Sequence, residues 1–264
     1  MLDPDRVDRY LARLGVDRPA APDVEALRAL QRAHLATVPF ENLSIHLGDE
    51  IVLDEVALVD KVVGARRGGF CFELNGAFAA LLDALGYRVT RLEARVLDGD
   101  QLGVPFDHLC LRVDIDDEGD GDGAWLVDVG FGAAFAEPLR FDAEGPQTDP
   151  DGTFELRRRD DGWVDLIGDG TPRYRFHPAV RALIDFEPGR HHHTTSPDSH
   201  FTQGTVCTLR TASGRVTIAG RTLIETEAGT RAERDIDDDG ELLALYRQRF
   251  GIDLAAVPTS PAPD

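Results

Sequence analysis

Apolar residues in the first third of the chain recur at helical spacing. Val7, Tyr10, Leu11 and Leu14 share one face, Leu27, Leu30 and His34 follow at similar spacing, and Leu74, Phe78, Leu81, Leu82 and Leu85 make another face that Gly86 stops. Residues 1–86 therefore read as a helical lobe. From Tyr87 the period changes to two. The runs "YRVTRLEARVL", "DHLCLRVDI", "AWLVDVGF", "FELRRRD", "WVDLIG" and "RYRF" are separated by Gly/Asp-rich turns. Such a succession of hairpins predicts an antiparallel sheet or a partly closed barrel over 87–186. After Phe186 a polar stretch, "EPGRHHHTTSPDSHF", reads as a loop and precedes two more strand-like runs, "GTVCTLRTA" and "GRVTIAGRTLIETE". In "DDDGELLALYRQRFGI" the aspartates cap a helix with Leu242, Leu243, Tyr246 and Phe250 on one face. Residues 187–264 thus make a third segment that ends in a loose tail, "VPTSPAPD". The pattern is that of an α+β protein without internal repeats.

Apolar residues make up 42% of the 264 positions, enough for a substantial core. No stretch approaches the roughly 18 uninterrupted apolar positions of a membrane span, and the charged start "MLDPDRVDRYLARLG" lacks a signal-peptide block. A cytoplasmic protein is the expectation. Cys71, Cys110 and Cys207 are odd in number and widely spaced, which argues against a disulfide framework and against paired zinc-ligand spacing. The formal charge is −20, and Lys61 is the only lysine. That charge argues against nucleic acid as a partner, and a polyanionic ligand would have to meet local arginines and backbone N–H groups.

One cysteine stands apart. In "RGGFCFELNGAF" Cys71 lies between a pair of glycines and the start of a helical pattern. Unpaired N–H groups and the positive end of the helix dipole favour a thiolate there, and Gly68 and Gly69 permit close backbone approach. On residue type alone a buried apolar cysteine in a packed turn is the favoured reading, so partners must decide. Alternation puts Leu109, Leu111, Val113 and Ile115 on one face of "FDHLCLRVDI" and His108 on the other; in "AWLVDVGFG" it sets Asp128 opposite Trp125, Val127 and Val129. A carboxylate inside an apolar strand needs a partner. A thiol, an imidazole that takes its proton and a carboxylate that orients the imidazole make a complete nucleophilic set. A zinc site of the same residues lacks close ligand pairs. His191, His192 and His193 are consecutive, point different ways in a loop or strand, and suit a solvated or pocket-edge loop better than a metal site. Cys110 and Cys207 read as core residues of strands. "GFG" at 130–132 is too short for a phosphate loop, and "DDEGDGDGA" lacks the spacing of a calcium loop.

Taken together, "PFENLSIHLG" at 39–48, "RGGFCFELN" at 67–75, "HLCLRV" at 108–113, "DVGFG" at 128–132 and "TSPDSHF" at 195–201 resemble, in order and spacing, the signature blocks of arylamine N-acetyltransferases. The resemblance spans most of the chain. It implies that Cys71 accepts an acetyl group from acetyl-CoA as a thioester, that His108 is the base and Asp128 its orienting carboxylate, and that an arylamine or hydrazine then attacks. It also implies a helical lobe, a barrel and a C-terminal α/β lid, with a core related to papain-like cysteine enzymes. By the same resemblance Glu41 and Arg67 hold the cysteine turn, Phe40 and Phe131 line the acceptor pocket, and Gly130 and Gly132 let the backbone approach the cofactor. Phe70 stands where the family often has Tyr or Trp. Two alternatives remain at this point: an amide synthase of the same fold that takes a carrier-bound acyl chain, and, in a different class, a cysteine protease or an inert binding protein. A papain-type protease usually has a glutamine several residues before the cysteine, and "GARRGGFC" offers none.

Overall fold

The structure, a computed structural model, describes residues 2–116 and 122–259. The middle of the acidic turn "DDEGDGDGA" and the last five residues of the expected tail lie outside the described residues.

The chain opens with α1 (Pro4–Leu14), α2 (Val24–Thr37), the short strand β1 (Phe40–Glu41), α3 (Leu43–Leu47), α4 (Glu55–Val63) and α5 (Cys71–Ala84). Local chemistry sets several of these boundaries. Asp3 and Asp23 accept backbone N–H bonds as N-caps of α1 and α2, and Gly15 closes α1 in the left-handed region. At α5 Glu73 reaches back to accept the Phe70 N–H, which fixes the start of that helix at the cysteine.

A barrel-like sheet follows, built from β2 (Arg88–Asp98), β3 (Gln101–Leu102), β4 (His108–Ile115), β5 (Gly123–Val127), β6 (Leu139–Arg140), β7 (Pro146–Asp149), β8 (Gly152–Arg158), β9 (Val164–Gly168) and β10 (Thr171–Arg181). Among the described residues the strand order is β6-β5-β4-β2-β10-β9-β8-β7, every pair antiparallel, with β3 on β2. The two edges meet through a side chain. Gln147 of β7 accepts the Arg140 N–H at 2.7 Å and donates to the Arg140 carbonyl at 3.0 Å, so one amide takes the place of a missing strand pair. One face of β4 and β5 carries Leu109, Leu111, Val113, Trp125 and Val127, which share a core with the helices. The other face, with Cys110 and Leu126, joins Leu92, Tyr174 and Phe176 in the barrel interior.

Past a short 3₁₀ turn (Leu183–Phe186) come α6 (Glu187–Thr195), α7 (His200–Gln203), β11 (Val206–Arg210), β12 (Gly214–Ala219), β13 (Thr222–Glu227), β14 (Thr230–Asp235) and α8 (Asp239–Phe250). The second sheet runs β1-β11-β12-β13-β14, so the strand at Phe40 and Glu41 belongs to the C-terminal layer. A third core gathers Leu43, Cys207, Ile218, Leu242, Leu245, Tyr246 and Phe250.

Three details differ from the sequence pattern. The stretch "EPGRHHHTTSPDSHF" is mostly helical: Pro188 stands in the first turn of α6, Ser199 caps α7, and the polar residues conceal any apolar stripe. On α8 the buried face takes Leu245 in place of Leu243. Helix α5 is buried all round from Cys71 to Leu82, not on one face, because Ala77, Ala79, Ala80 and Gly76 let it pack between α4 and the sheet. No described helix is long and apolar enough to cross a membrane.

Candidate active site

The first residue of α5, the first residue of β4 and the residue just past β5 converge. Cys71 opens α5, His108 opens β4, and Asp128 follows the last pair of β5. On β4 and β5, Leu111 pairs with Val127, so Cys110 and Asp128 fall next in register and on the face that His108 shares. The alternation that hides Leu109 and Val127 against α5 thus turns His108 and Asp128 the other way, toward the end of the barrel where the sulfur arrives.

His108 Nε2 lies 2.7 Å from Asp128 Oδ2, and both groups are almost fully buried. The Cys71 sulfur sits close enough to the same imidazole for each to shift the other's proton affinity; its thiol donates to the Asp107 carbonyl at 3.9 Å, and with Nε2 bonded to Asp128 the nitrogen left for the sulfur is His108 Nδ1. Asp128 Oδ1 accepts from Asn75 Nδ2 at 2.9 Å and from the Gly130 N–H at 2.8 Å. Asn75 also donates to the Leu109 carbonyl at 2.7 Å and accepts the Val129 N–H at 3.0 Å. This one side chain, a helical turn beyond Cys71, ties α5 to both β4 and the turn after β5. Its signal in the sequence was a polar residue at the fourth position after the cysteine on an apolar helix.

Burial alone would lower His108, but the charge and hydrogen bond of Asp128 raise it to about 10. Burial pushes the Cys71 thiol above its usual range, and the neighbouring His108 and the Leu109 N–H offset this only in part. The thiolate expected from the helix end is therefore opposed by desolvation, and its formation rests on the imidazolium beside it.

The cysteine turn is held by charge and by glycine. Arg67 Nε and Nη2 donate to the two oxygens of Glu41 at 2.9 and 3.1 Å, and Nη2 also reaches Ser44 Oγ at 3.2 Å. Glu41 N–H in turn donates to the Gly69 carbonyl at 2.9 Å. Burial would raise the Glu41 carboxyl, but Lys61 and Arg67 hold it below its usual range. A Cβ on Gly68 would lie 1.8 Å from the Pro39 carbonyl oxygen, so only glycine lets the turn approach β1. Lys61, 2.5 Å from Glu73, neutralises the carboxylate that caps α5.

The sulfur faces a cavity of about 700 Å³. Phe40 and Phe131 both line it, and Phe131 stands edge-on to the His108 ring with centroids 5.4 Å apart. Gly130 lines it too, yet its lack of a side chain serves the cysteine directly: a Cβ there would sit 2.7 Å from Cys71 Cα and 2.6 Å from Asn75 Nδ2. Gly132 has a φ of +84° beside the Phe40 ring and is not among the described residues of the cavity wall. Phe70 is fully buried under Phe72 and Phe201. His192, His193 and His200 reach the wall, and among the described residues no cluster of three His, Cys, Asp or Glu side chains is placed to hold a metal ion. Cys110 and Cys207 are fully buried in the barrel and C-terminal cores.

Comparison with known proteins agrees in extent and kind. A family model described as N-acetyltransferase matches residues 23–258. The arylamine N-acetyltransferase of Mycolicibacterium smegmatis is 35% identical over 253 residues, covering 93% of this chain and 91% of that protein. Among solved structures, the arylamine N-acetyltransferase of Salmonella typhimurium superposes with a TM-score of 0.88 at 32% identity, over 99% of this chain and 96% of that one. The Mycobacterium marinum arylamine N-acetyltransferase in complex with CoA gives 0.84 at 30% identity, over 93% and 92%.

Proposed function

The chain belongs to the arylamine N-acetyltransferase family, and from that membership we propose that it carries an acetyl group from acetyl-CoA to a small aromatic amine or hydrazine in two half-reactions through Cys71. It is an acyltransferase. The observation that carries the reading is that Cys71 and His108 share the wall of one cavity while His108 is bonded behind it to the buried Asp128 at 2.7 Å.

In the first half-reaction the Cys71 thiolate attacks the acetyl carbonyl, the carbon–sulfur bond to the donor breaks, and imidazolium His108 returns a proton to the departing thiolate. His108 is then neutral. In the second, the amine attacks the Cys71 thioester, neutral His108 takes the proton that the new amide must lose, and Cys71 leaves as a thiolate beside the re-formed imidazolium. Protons balance over the cycle with one imidazole. Asp128 supplies the charge that makes the imidazolium favourable at each return, and Asn75 and the Gly130 N–H hold that carboxylate in line.

Phe40, Val96, Leu102, Val104, Phe131 and Phe201 make the wall mainly apolar, which suits an aromatic acceptor. No lysine or arginine is among its described lining residues, so the phosphates of the donor meet backbone and histidine groups or the solvent at the mouth. Intact-mass measurement tests the reading. Acetyl-CoA alone should add one acetyl group to the protein, an arylamine should remove it, and Cys71→Ala should show neither step. Loading of the Ala variant, or none in the wild type, would overturn the assignment.

A further inference from the structure

The wall that faces Cys71 contains a second imidazole bonded at both nitrogens. His193, near the end of α6, donates from Nε2 to the Asp107 carbonyl at 2.9 Å and lies 3.1 Å from Asp107 Oδ1. The Ser199 hydroxyl lies 3.2 Å from His193 Nδ1 and is positioned to donate to it. Phe70, Phe72 and Phe201 surround the ring, with centroids 6.1, 5.9 and 5.0 Å away. A buried imidazole saturated in this way has one orientation. Its partner Asp107 immediately precedes His108, and the Asp107 carbonyl that receives His193 is also the oxygen 3.9 Å from Cys71 Sγ.

We infer that His193 is a positioning residue for acetyl transfer, acting on the Cys71 sulfur through Asp107, whose carbonyl and carboxylate it holds in place. Two effects follow from the geometry. The His193 N–H occupies a carbonyl lone pair for which the Cys71 thiol competes, so the thiol proton is steered to His108. The same N–H, with the Val96 N–H at 2.9 Å, compensates the buried Asp107 carboxylate, whose negative charge disfavours a thiolate beside it. Asp107 accordingly lies below its usual range: burial would raise it, but the bonds from His193 and Val96 prevail. The other titratable groups that face this pair are His108, with Asp128 behind it, and His192, Asp198 and His200 along the wall. They are unchanged in the comparison below. Because α6 bears His193, a helix of the cavity wall and the sulfur are coupled through one residue.

The inference rests on the reading of Cys71 as the acetyl carrier, but its test reads the sulfur alone. Iodoacetamide alkylation of Cys71, followed by intact mass across about pH 5 to 9, requires no acetyl donor. Asp107→Asn removes a negative charge beside the sulfur and should move the reactive limb to lower pH. His193→Phe keeps an aromatic ring in the cage, leaves Asp107 less compensated, and should move it to higher pH, each by roughly half a pH unit or more. His193→Gln retains a donor and should fall near wild type. In the Asp107→Asn background the His193→Phe shift should shrink to the part carried by the backbone carbonyl, which Asn retains. A purely structural clamp would lower the melting temperature and leave the limb in place. Shifts of the same sign, or a full His193 effect without Asp107, overturn the inference. A measurement on the wild type needs no variant: the His193 imidazole resonances in NMR should move when Cys71 is alkylated, and unchanged resonances equally count against the coupling.

Discussion

Asp128 decides what His108 is. The imidazole is raised to about 10 in the folded protein against an ordinary value of 6.5, so the folded state holds its proton more tightly than the unfolded chain does. That stabilising contribution is complete below pH 6.5 and is lost as pH rises through about 10. Asp128→Asn removes it. The stability gap between wild type and variant, measured by denaturant melts, should be widest near about pH 6 and should narrow steadily toward about pH 10. A gap independent of pH would mean that the variant only breaks packing. In the same folded variant, acetyl loading should slow by two to four orders of magnitude, roughly as for other triads whose carboxylate becomes an amide, and the alkylation limb of Cys71 should move to higher pH.

At the scale of elements, the site depends on β1, a strand of two residues, holding the cysteine turn. Glu41 and Arg67 form a buried pair between β1 and the turn before α5; Glu41 also accepts the Leu43 N–H, and Arg67 also reaches Ser44 and, at 3.5 Å, the exposed Asp49. Breaking such a pair leaves a buried charge without its partner. Glu41→Leu should therefore cost about 3–5 kcal/mol in chemical denaturation, whereas Glu41→Leu combined with Arg67→Met should recover a large part of it. A single-variant cost below about 1 kcal/mol would show the pair to be solvated in practice. The link reaches further than the turn, because β1 pairs with β11 and so connects the cysteine to the C-terminal sheet.

Across the whole molecule two histidines tilt stability with pH in opposite directions. His34 is fully buried with Tyr10 Oη 3.0 Å from its Nε2, and burial, reinforced by Arg13, lowers it to about 3. Its folded value lies below its ordinary 6.5, so the unfolded chain takes up a proton that the folded protein refuses. The stability this represents is present above pH 6.5 and is lost as pH falls toward about 3. His34→Gln keeps a hydrogen-bonding group without that titration and should flatten the decline of stability with acid; identical slopes in urea melts would refute the assignment. The net charge of −20 adds a long-range effect. It repels a polyanionic donor, and moderate salt should lower the apparent KM for acetyl-CoA by screening it. A KM that rises with salt would instead point to local cationic contacts beyond the described cavity wall.

The sequence by itself determined most of the element types and the three residues worth bringing together. Helical periods around Tyr10 and Leu27, the alternation around Leu109 and Val127, and the glycines beside Cys71 are local signals, each readable within a few residues because backbone geometry repeats over that distance. The helices at Glu187–Thr195 and His200–Gln203 were hidden because their residues are too polar to show an apolar face, and they hold through hydrogen bonds to other elements. Only the tertiary structure decided that Asn75 would hold Asp128, 53 residues away, and that His193 would meet Asp107, 86 residues away. It also decided that Gly130 is required by contact with Cys71. Those choices depend on where α5, β4, β5 and α6 pack against one another, and a polar residue in the sequence carries no mark of the distant partner that packing brings within 3 Å.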